Sequence, residues 1–256
     1  MISFKTKEEI ELLQLNGDLV SKTLAEVGRH IGPGVKTIEL DKIAETFIRD
    51  HDAEPAFLGY GGFPYTLCIS VNEAIVHGFP SNYVLKEGDI VSIDCGTKYK
   101  GFYGDSAYTF SVGEIGEENR RLLEITKESL YLGLEQSVRG NRVGDISYAV
   151  QRHAEAAGFS VVREMVGHGI GKRLHEKPEV PNFGNRGVGK KLQNGMVFCV
   201  EPMINAGGRA VILQDDGWTL TTQDGKNSAH FELMVAVENN TPKLLSTFKF
   251  IEETKS

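Results

Sequence analysis

The chain has 256 residues, 40% of them hydrophobic and 25% charged, an ordinary globular composition with room for one large domain or two small ones. A net charge of −7 and an isoelectric point near 5.6 argue against nucleic acid or an anionic membrane as a principal partner. Cys68, Cys95 and Cys199 are odd in number and widely spaced, with no CxxC pairing, and neither a signal core nor a run of about 18 apolar residues occurs. The expectation is a protein of the reducing cytoplasm.

From the amino end, "TKEEIELLQLNGDLVSKTLAEVGRHI" predicts a helix. Thr6 and Glu9 have capping-box spacing, Ile10, Leu13, Val20, Leu24, Val27 and Ile31 keep helical period, and the glycines of "GPG" at 32–34 stop it. A second helix starts near Thr37, a third runs from about Glu117 to the break at Gly140, and a fourth covers "GDISYAVQRHAEAAG". Strand-like stretches fall at 66–76, 89–97, 103–112, 196–204, 209–214 and 229–237. No linker or low-complexity segment divides the chain, so a single catalytic domain, 1–256, is expected.

A faint repeat crosses it. "LKEGDIVSID" begins at Leu85 and "LQNGMVFCVE" at Leu192, an offset of 107, and each ends on a carboxylate six residues after its glycine. The glycine turns at Gly34 and Gly140, each leading into an amphipathic helix, lie 106 apart. The reading is two similar halves, roughly 1–115 and 116–256, around a pseudo-twofold axis, with Asp94 and Glu201 equivalent.

Carboxylates interrupt the apolar strands. In "SIDCGTKYKGFYGDSAY", Val91, Ile93 and Cys95 form one face and Asp94 sits on the other. A turn centred on Tyr99-Lys100 would set Asp94 directly opposite Asp105, a destabilising pairing of like charges. In "SAHFELMVAV", His230 and Glu232 share a face opposite Ala229, Phe231 and Leu233, and Glu201 is equally placed within "VFCVEPMI". Shared protons, exposure to water or a metal cluster would each relieve the charge. The mirrored set of four favours metal.

Histidines complete the inventory. His168 lies between glycines in "VGHGIGKRLHEKP", His175 follows seven residues later, and His77 ends an apolar strand in "SVNEAIVHGFP". His30, His51 and His153 sit in polar helical contexts and carry no assignment. An oxygen-rich set with imidazole suits Mn(II), Fe(II) or Co(II), with Zn(II) also within range. Carboxylates can bridge two such ions about 3.5–4 Å apart, the arrangement of a paired-metal hydrolase. GxSxG, HExxH and P-loop signatures are missing.

The motifs "CISVNEAIVHG", "GDIVSIDCG", "GFYGDSAYTF", "GHGIGKRLHEKP", "MVFCVEPMI" and "GW" followed by "SAHFELMVAV" span nearly the whole chain and resemble the type I methionine aminopeptidases of the bacterial, extension-free kind. The resemblance implies the pita-bread α/β (α+β) fold, a curved antiparallel sheet backed by helices in two pseudo-twofold halves. It implies two divalent ions (Co, Mn, Fe or Zn) on Asp94, Asp105, His168, Glu201 and Glu232, with Asp105 and Glu232 bridging. His77 would lie near the scissile peptide and His175 on the developing oxyanion, with Glu201 shuttling the proton of a metal-bound hydroxide. Tyr60, Phe63, Cys68 and Trp218 would line the methionine pocket, and Asn72 and Ser228 would lie near a monovalent cation. The implied substrate is a peptide or nascent chain with an N-terminal methionine and a small second residue, met by a monomer in the cytoplasm, with the ribosome as a further partner and no direct contact with nucleic acid or membrane.

Three positions depart from that pattern: Phe57 replaces a small cysteine, Gly96 replaces a threonine two after Asp94, and Leu233 replaces a histidine after Glu232. Prolidase, aminopeptidase P and creatinase are the enzymatic rivals. The short interval from Glu201 to Glu232 disfavours a type II methionine aminopeptidase. A pita-bread binding module without catalysis should have lost ligands, and none is lost here, whereas Phe57 and Leu233 leave open a paralogue with shifted substrate preference.

Overall fold

The computed structural model describes residues 2–253, and all statements of number or absence below refer to these. Helix α1 (Lys7–Arg29) opens on the capping box expected from Thr6 and Glu9. Helix α2 (Thr37–Asp50) packs beside it, followed by short strand β1 (Glu54–Pro55). The expected strand 66–76 is two strands, β2 (Leu67–Val71) and β3 (Ala74–Val76), because Asn72 at φ +54 turns the chain. Strands β4 (Ile90–Tyr99) and β5 (Phe102–Ser111) form a long hairpin. One edge of β4 carries β5 and the other carries β2 and β1.

The hairpin corrects one expectation. Its turn centres on Lys100-Gly101, both at positive φ, as a two-residue primed turn requires. Asp94 therefore faces Ala107, and Asp105 faces Gly96. The aspartates share a face as diagonal neighbours, which spares the strands a direct clash of charge and leaves both side chains converging on one point.

In the second half, α3 (Glu117–Glu135) and α4 (Val143–Ala156) pack together. Helix α3 stops short of Gly140 because Val138 leaves the helix to bridge Glu238. Strands β6 (Ser160–Val161), β7 (Gly167–Gly169) and β8 (Glu176–Val180) follow. The expected strand 196–204 is β9 (Val197–Val200) and β10 (Met203–Asn205), interrupted at Glu201-Pro202. After the hairpin β11 (Val211–Leu213) and β12 (Leu220–Thr222), the expected strand 229–237 is β13 (Ser228–His230) and β14 (Leu233–Ala236), interrupted at Phe231-Glu232. Strand β15 (Lys243–Leu244) and helix α5 (Lys249–Glu253) end the described chain. The larger sheet here runs β15-β14-β9-β7-β8, and smaller sheets run β13-β10-β6 and β11-β12-β3.

Each half is thus a helix pair backing a sheet, with β4 and β9 inside their sheets at the repeat offset. Val20, Leu24 and Val27 of α1 meet Val91, Ile93 and Cys95 of β4 in one core that also takes in Ile146 and Val150 of α4 and Phe198 and Val200 of β9. The halves join where β5 meets the Glu232 interruption. Ala107 and Glu232 exchange both backbone hydrogen bonds, at 3.4 and 2.9 Å, and Ser106 Oγ donates to the Glu232 carbonyl at 2.6 Å. No helix is long and apolar enough to cross a membrane.

Two local features bear on stability. The buried Asp41 of α2 accepts the Thr66 and Leu67 N–H groups at 3.0 and 2.8 Å, fixing the entry to β2. Burial outweighs these bonds and pushes its carboxyl up to about 6. Gly96 and Phe57 form the second feature: a Cβ at 96 would lie 2.5 Å from Phe57 Cε1, so the two positions compete for one space.

A raised folded pKa contributes stability below the unfolded value near 3.9 that is lost as pH rises through about 6. Urea unfolding should therefore show Asp41→Asn gaining on the parent between pH 4 and 7. Gly96→Ala should destabilise by about 1–3 kcal/mol, and by less in a Phe57→Ala background, in a double-mutant cycle.

Candidate metal centre

Two strands and two strand breaks deliver the carboxylates. Asp94 comes from β4 and Asp105 from β5, while Glu201 and Glu232 come from the two interruptions in the second half. Val200 pairs with Leu233 and Met203 with His230, with two residues intervening on each strand. Glu201 therefore stands opposite Glu232, so the facing carboxylates belong to the second half. Breaking both strands at this level frees the side chains to turn towards the aspartates. Oxygens of Asp94, Asp105 and Glu232 lie within 4.8 Å of one another. His168, carried on β7, places Nε2 3.5 Å from Glu201 Oε1 and 3.7 Å from Asp105 Oδ2. All five expected ligands meet at one place.

The electrostatics of the protein alone are adverse. Burial pushes Asp94 up to about 7. Burial, then Glu232 and Asp94, raise Asp105 well above the carboxylate range. Glu201 is raised by burial and the two aspartates, and Glu232 by burial, Glu201 and Asp94. Asp105 and Glu232 are only 3% and 2% exposed. Burial, then His175, lowers His168 to about 3, so its ring is neutral. His168 Nδ1 lies 3.0 Å from the Gly169 carbonyl, and donation there leaves the Nε2 lone pair facing the carboxylates.

The donor set fits divalent cations. One oxygen on each of Asp94, Asp105, Glu201 and Glu232 is buried without a hydrogen-bond partner, and all four belong to this cluster. Such orphaned acceptors are costly unless a cation meets them. Sequence reasoning passed over Cys199, whose Sγ lies within 4.8 Å of ligand atoms of His168 and Glu232. Its position two before Glu201, on the same strand face, was the available signal.

Around the carboxylates opens a cavity of about 800 Å³. Tyr60, Phe63, Cys68 and Trp218 all line it, as do Phe57, His77 and His175. Phe63 stacks edge-on to Trp218 and Phe79 with ring centres 5.2 and 5.4 Å apart, giving an apolar, aromatic wall. His77, at φ +59, lies edge-on to Trp218 with centres 6.3 Å apart. Burial and then His175 lower its pKa. His175 sits at the rim with Nδ1 2.8 Å from Tyr60 Oη, its ring centre 4.3 Å from that of His168. Burial keeps it towards the neutral form.

The other positions separate. Leu233 is a core residue paired with Val200, while His230, 2% exposed with Nε2 unpartnered, lines the cavity. Met203 and Met165 join the lining without having been anticipated. Asn72 and Ser228 meet away from the cavity lining: Ser228 N–H donates to the Asn72 carbonyl at 2.9 Å, and the Asn72 side chain bonds Asp89 and the Ile90 N–H.

Comparison with known proteins bears on the family. A model of metallopeptidase family M24 matches residues 11–239. A methionine aminopeptidase of Clostridium perfringens is 52% identical over 97% of this chain and 100% of its own length. The crystal structure of the methionine aminopeptidase from Thermotoga maritima has a TM-score of 0.95 at 42% identity, covering 96% of this chain and 100% of that one. A prolidase from Pyrococcus horikoshii reaches 0.77 at 21% identity, covering 95% of this chain and 63% of that one, a likeness of fold. The pita-bread expectation holds. With a match to the family model over most of its length and full-length likeness to methionine aminopeptidases, the chain belongs to metallopeptidase family M24, and within it to the methionine aminopeptidases.

Proposed function

We propose that the five converging side chains hold two divalent ions and that this centre removes an N-terminal methionine by hydrolysis of the first peptide bond. The observation that carries the reading is the set of four buried, unpartnered carboxylate oxygens in one cluster, with His168 Nε2 beside Asp105 and Glu201. Asp94, Asp105, His168, Glu201 and Glu232 would be the ligands, with Asp105 and Glu232 shared. Ions of the Mn(II), Fe(II), Co(II) or Zn(II) type suit these donors and would supply Lewis acidity to the carbonyl and to water.

The rest is done by the chain's own side chains. The aromatic wall of Tyr60, Phe63 and Trp218, with Cys68, receives the unbranched methionine side chain, which suits an apolar site with a polarisable thioether. Glu201, at the edge of the cluster beside His168, accepts the proton of the attacking water and delivers it to the leaving amine. His77, held beside Trp218, contacts the peptide being cut. With its Nδ1 engaged by Tyr60, His175 presents Nε2, and as an N–H donor that atom steadies the developing oxyanion.

The chain works as one catalytic unit over 1–256, each half contributing two carboxylates. The substrates are peptides and nascent chains with a small second residue, processed in the cytoplasm by a monomer that also meets the ribosome. A monovalent cation beside Asn72 and Ser228 belongs to the same reading, supported by their direct contact.

Metal-stripped protein resupplied with Mn(II), Fe(II) or Co(II) should release methionine from Met-Ala-Ser and leave Leu-Pro-Ser intact. Asp105→Asn should lose more than the roughly 10–100-fold typical of an outer-shell partner. Cleavage of Leu-Pro-Ser alone would assign the chain to the prolidase side.

Metal removal should also expose a pH dependence of stability. Asp94 is raised in the folded state, so its contribution is present below about pH 4 and lost as pH rises through about 7. Thermal melts with chelator should fall across that window, and saturating Mn(II) should flatten or reverse the fall.

A further inference from the structure

The residues before α1 are tied to the loop that carries His175. Lys5 N–H donates to the Gly195 carbonyl at 2.7 Å, and Ser3 of the same segment lines the cavity. Lys5 Nζ lies 2.6 Å from Glu176 Oε2, with the two side chains only 3% and 10% exposed. The other oxygen, Glu176 Oε1, accepts the Arg173 N–H at 3.2 Å, so one carboxylate closes the 173–176 turn and binds it to Lys5. The packing leaves no slack: a Cβ at Gly171 would lie 2.3 Å from Lys5 Nζ and 2.7 Å from Glu176 Oε1. A second ion pair, Lys172 to Glu9 at 2.9 Å, ties the same loop to the first turn of α1.

His175 is the residue immediately before Glu176. Glu176 pairs with Gly169, next to His168, so the ion pair fixes the strand start from which the imidazole projects. Tyr60 holds Nδ1 and thereby the ring's rotation, but it does not set the height of the backbone under it. A buried ion pair is weak evidence for stability in itself, because desolvation offsets much of its attraction. One placed against a reacting side chain has a further use, since small misplacements of such a group cost rate steeply.

We infer that Lys5 is a positioning residue for the reaction: through Glu176 it sets His175 at the carbonyl being cleaved. This rests on the reading of His175 as the oxyanion partner. Loss of the pair should then lower kcat with KM little changed, because the contact with His175 strengthens only as the oxyanion forms.

The test uses full-length, Mn(II)-loaded enzyme with Met-Ala-Ser, recording kcat, KM and the thermal midpoint. Lys5→Met/Glu176→Gln removes both charges together, so no uncompensated carboxylate is left buried. It should keep KM within about twofold of the parent while kcat falls about tenfold or more. Gly171→Ala pushes the Lys5 ammonium aside without altering charge and should reproduce the kcat loss if the double variant folds poorly. Combined with His175→Ala, either change should cost less than about a further twofold, since residues acting through one group are not additive. Parental kcat in a folded pair variant would overturn the proposal, leaving the pair a structural staple. So would full multiplication of its effect in the His175→Ala background. Undiminished kcat in His175→Ala alone would overturn the reading of His175, and the proposal with it.

Discussion

Four carboxylates buried at the join of two sheets are the constraint on which the rest of the molecule depends. Burial raises Asp94, and burial with the repulsion of neighbouring acids raises Asp105, Glu201 and Glu232, out of the usual carboxylate range, and each has an oxygen without a hydrogen-bond partner. An apolar core would reject such a cluster. The chain belongs to a metallopeptidase family, and divalent charge is what would offset the mutual repulsion of these acids. The strand interruptions at Glu201-Pro202 and Phe231-Glu232 serve the same end, and at Glu232 the backbone pairs with Ala107 of β5 instead.

The site is also asymmetric in a useful way. The carboxylates come from strands, or from the short breaks between them, that are backed by the main core, whereas His175 sits on a rim loop. Rigid elements give a precise constellation, and loops need a supporting shell to match them. Tyr60, Glu176 and Lys5 supply that support from three distant parts of the sequence. The cavity wall shows comparable coupling: Phe57 takes the volume that a side chain at Gly96 would need.

Much of this was legible beforehand because the relevant residues break local rules. An acid within an apolar alternation, as at Asp94 or Glu232, is visible in a short window, and so is a histidine between glycines at 168. The capping box at Thr6 and the helical periods depend only on near neighbours, and the structure reproduces them. Strands β7 and β8 were missed because "GHG" and "EKPEV" lack apolar alternation; their ladders are held by backbone pairing with β9 and with each other.

The sequence by itself determined the chemistry: which donors are present, that they repeat across two halves, and that the apolar faces lie where helices can cover them. These follow from side-chain type and from the strand and helix periods, which are local properties of the chain. Only the tertiary structure decided the register. Moving the hairpin turn by one residue, to Lys100-Gly101, makes the aspartates diagonal, and the second half is where acids truly face. Only the tertiary structure brought Lys5 to Glu176 and Phe57 to Gly96, because both contacts join segments that share no local pattern and meet only once the elements have packed.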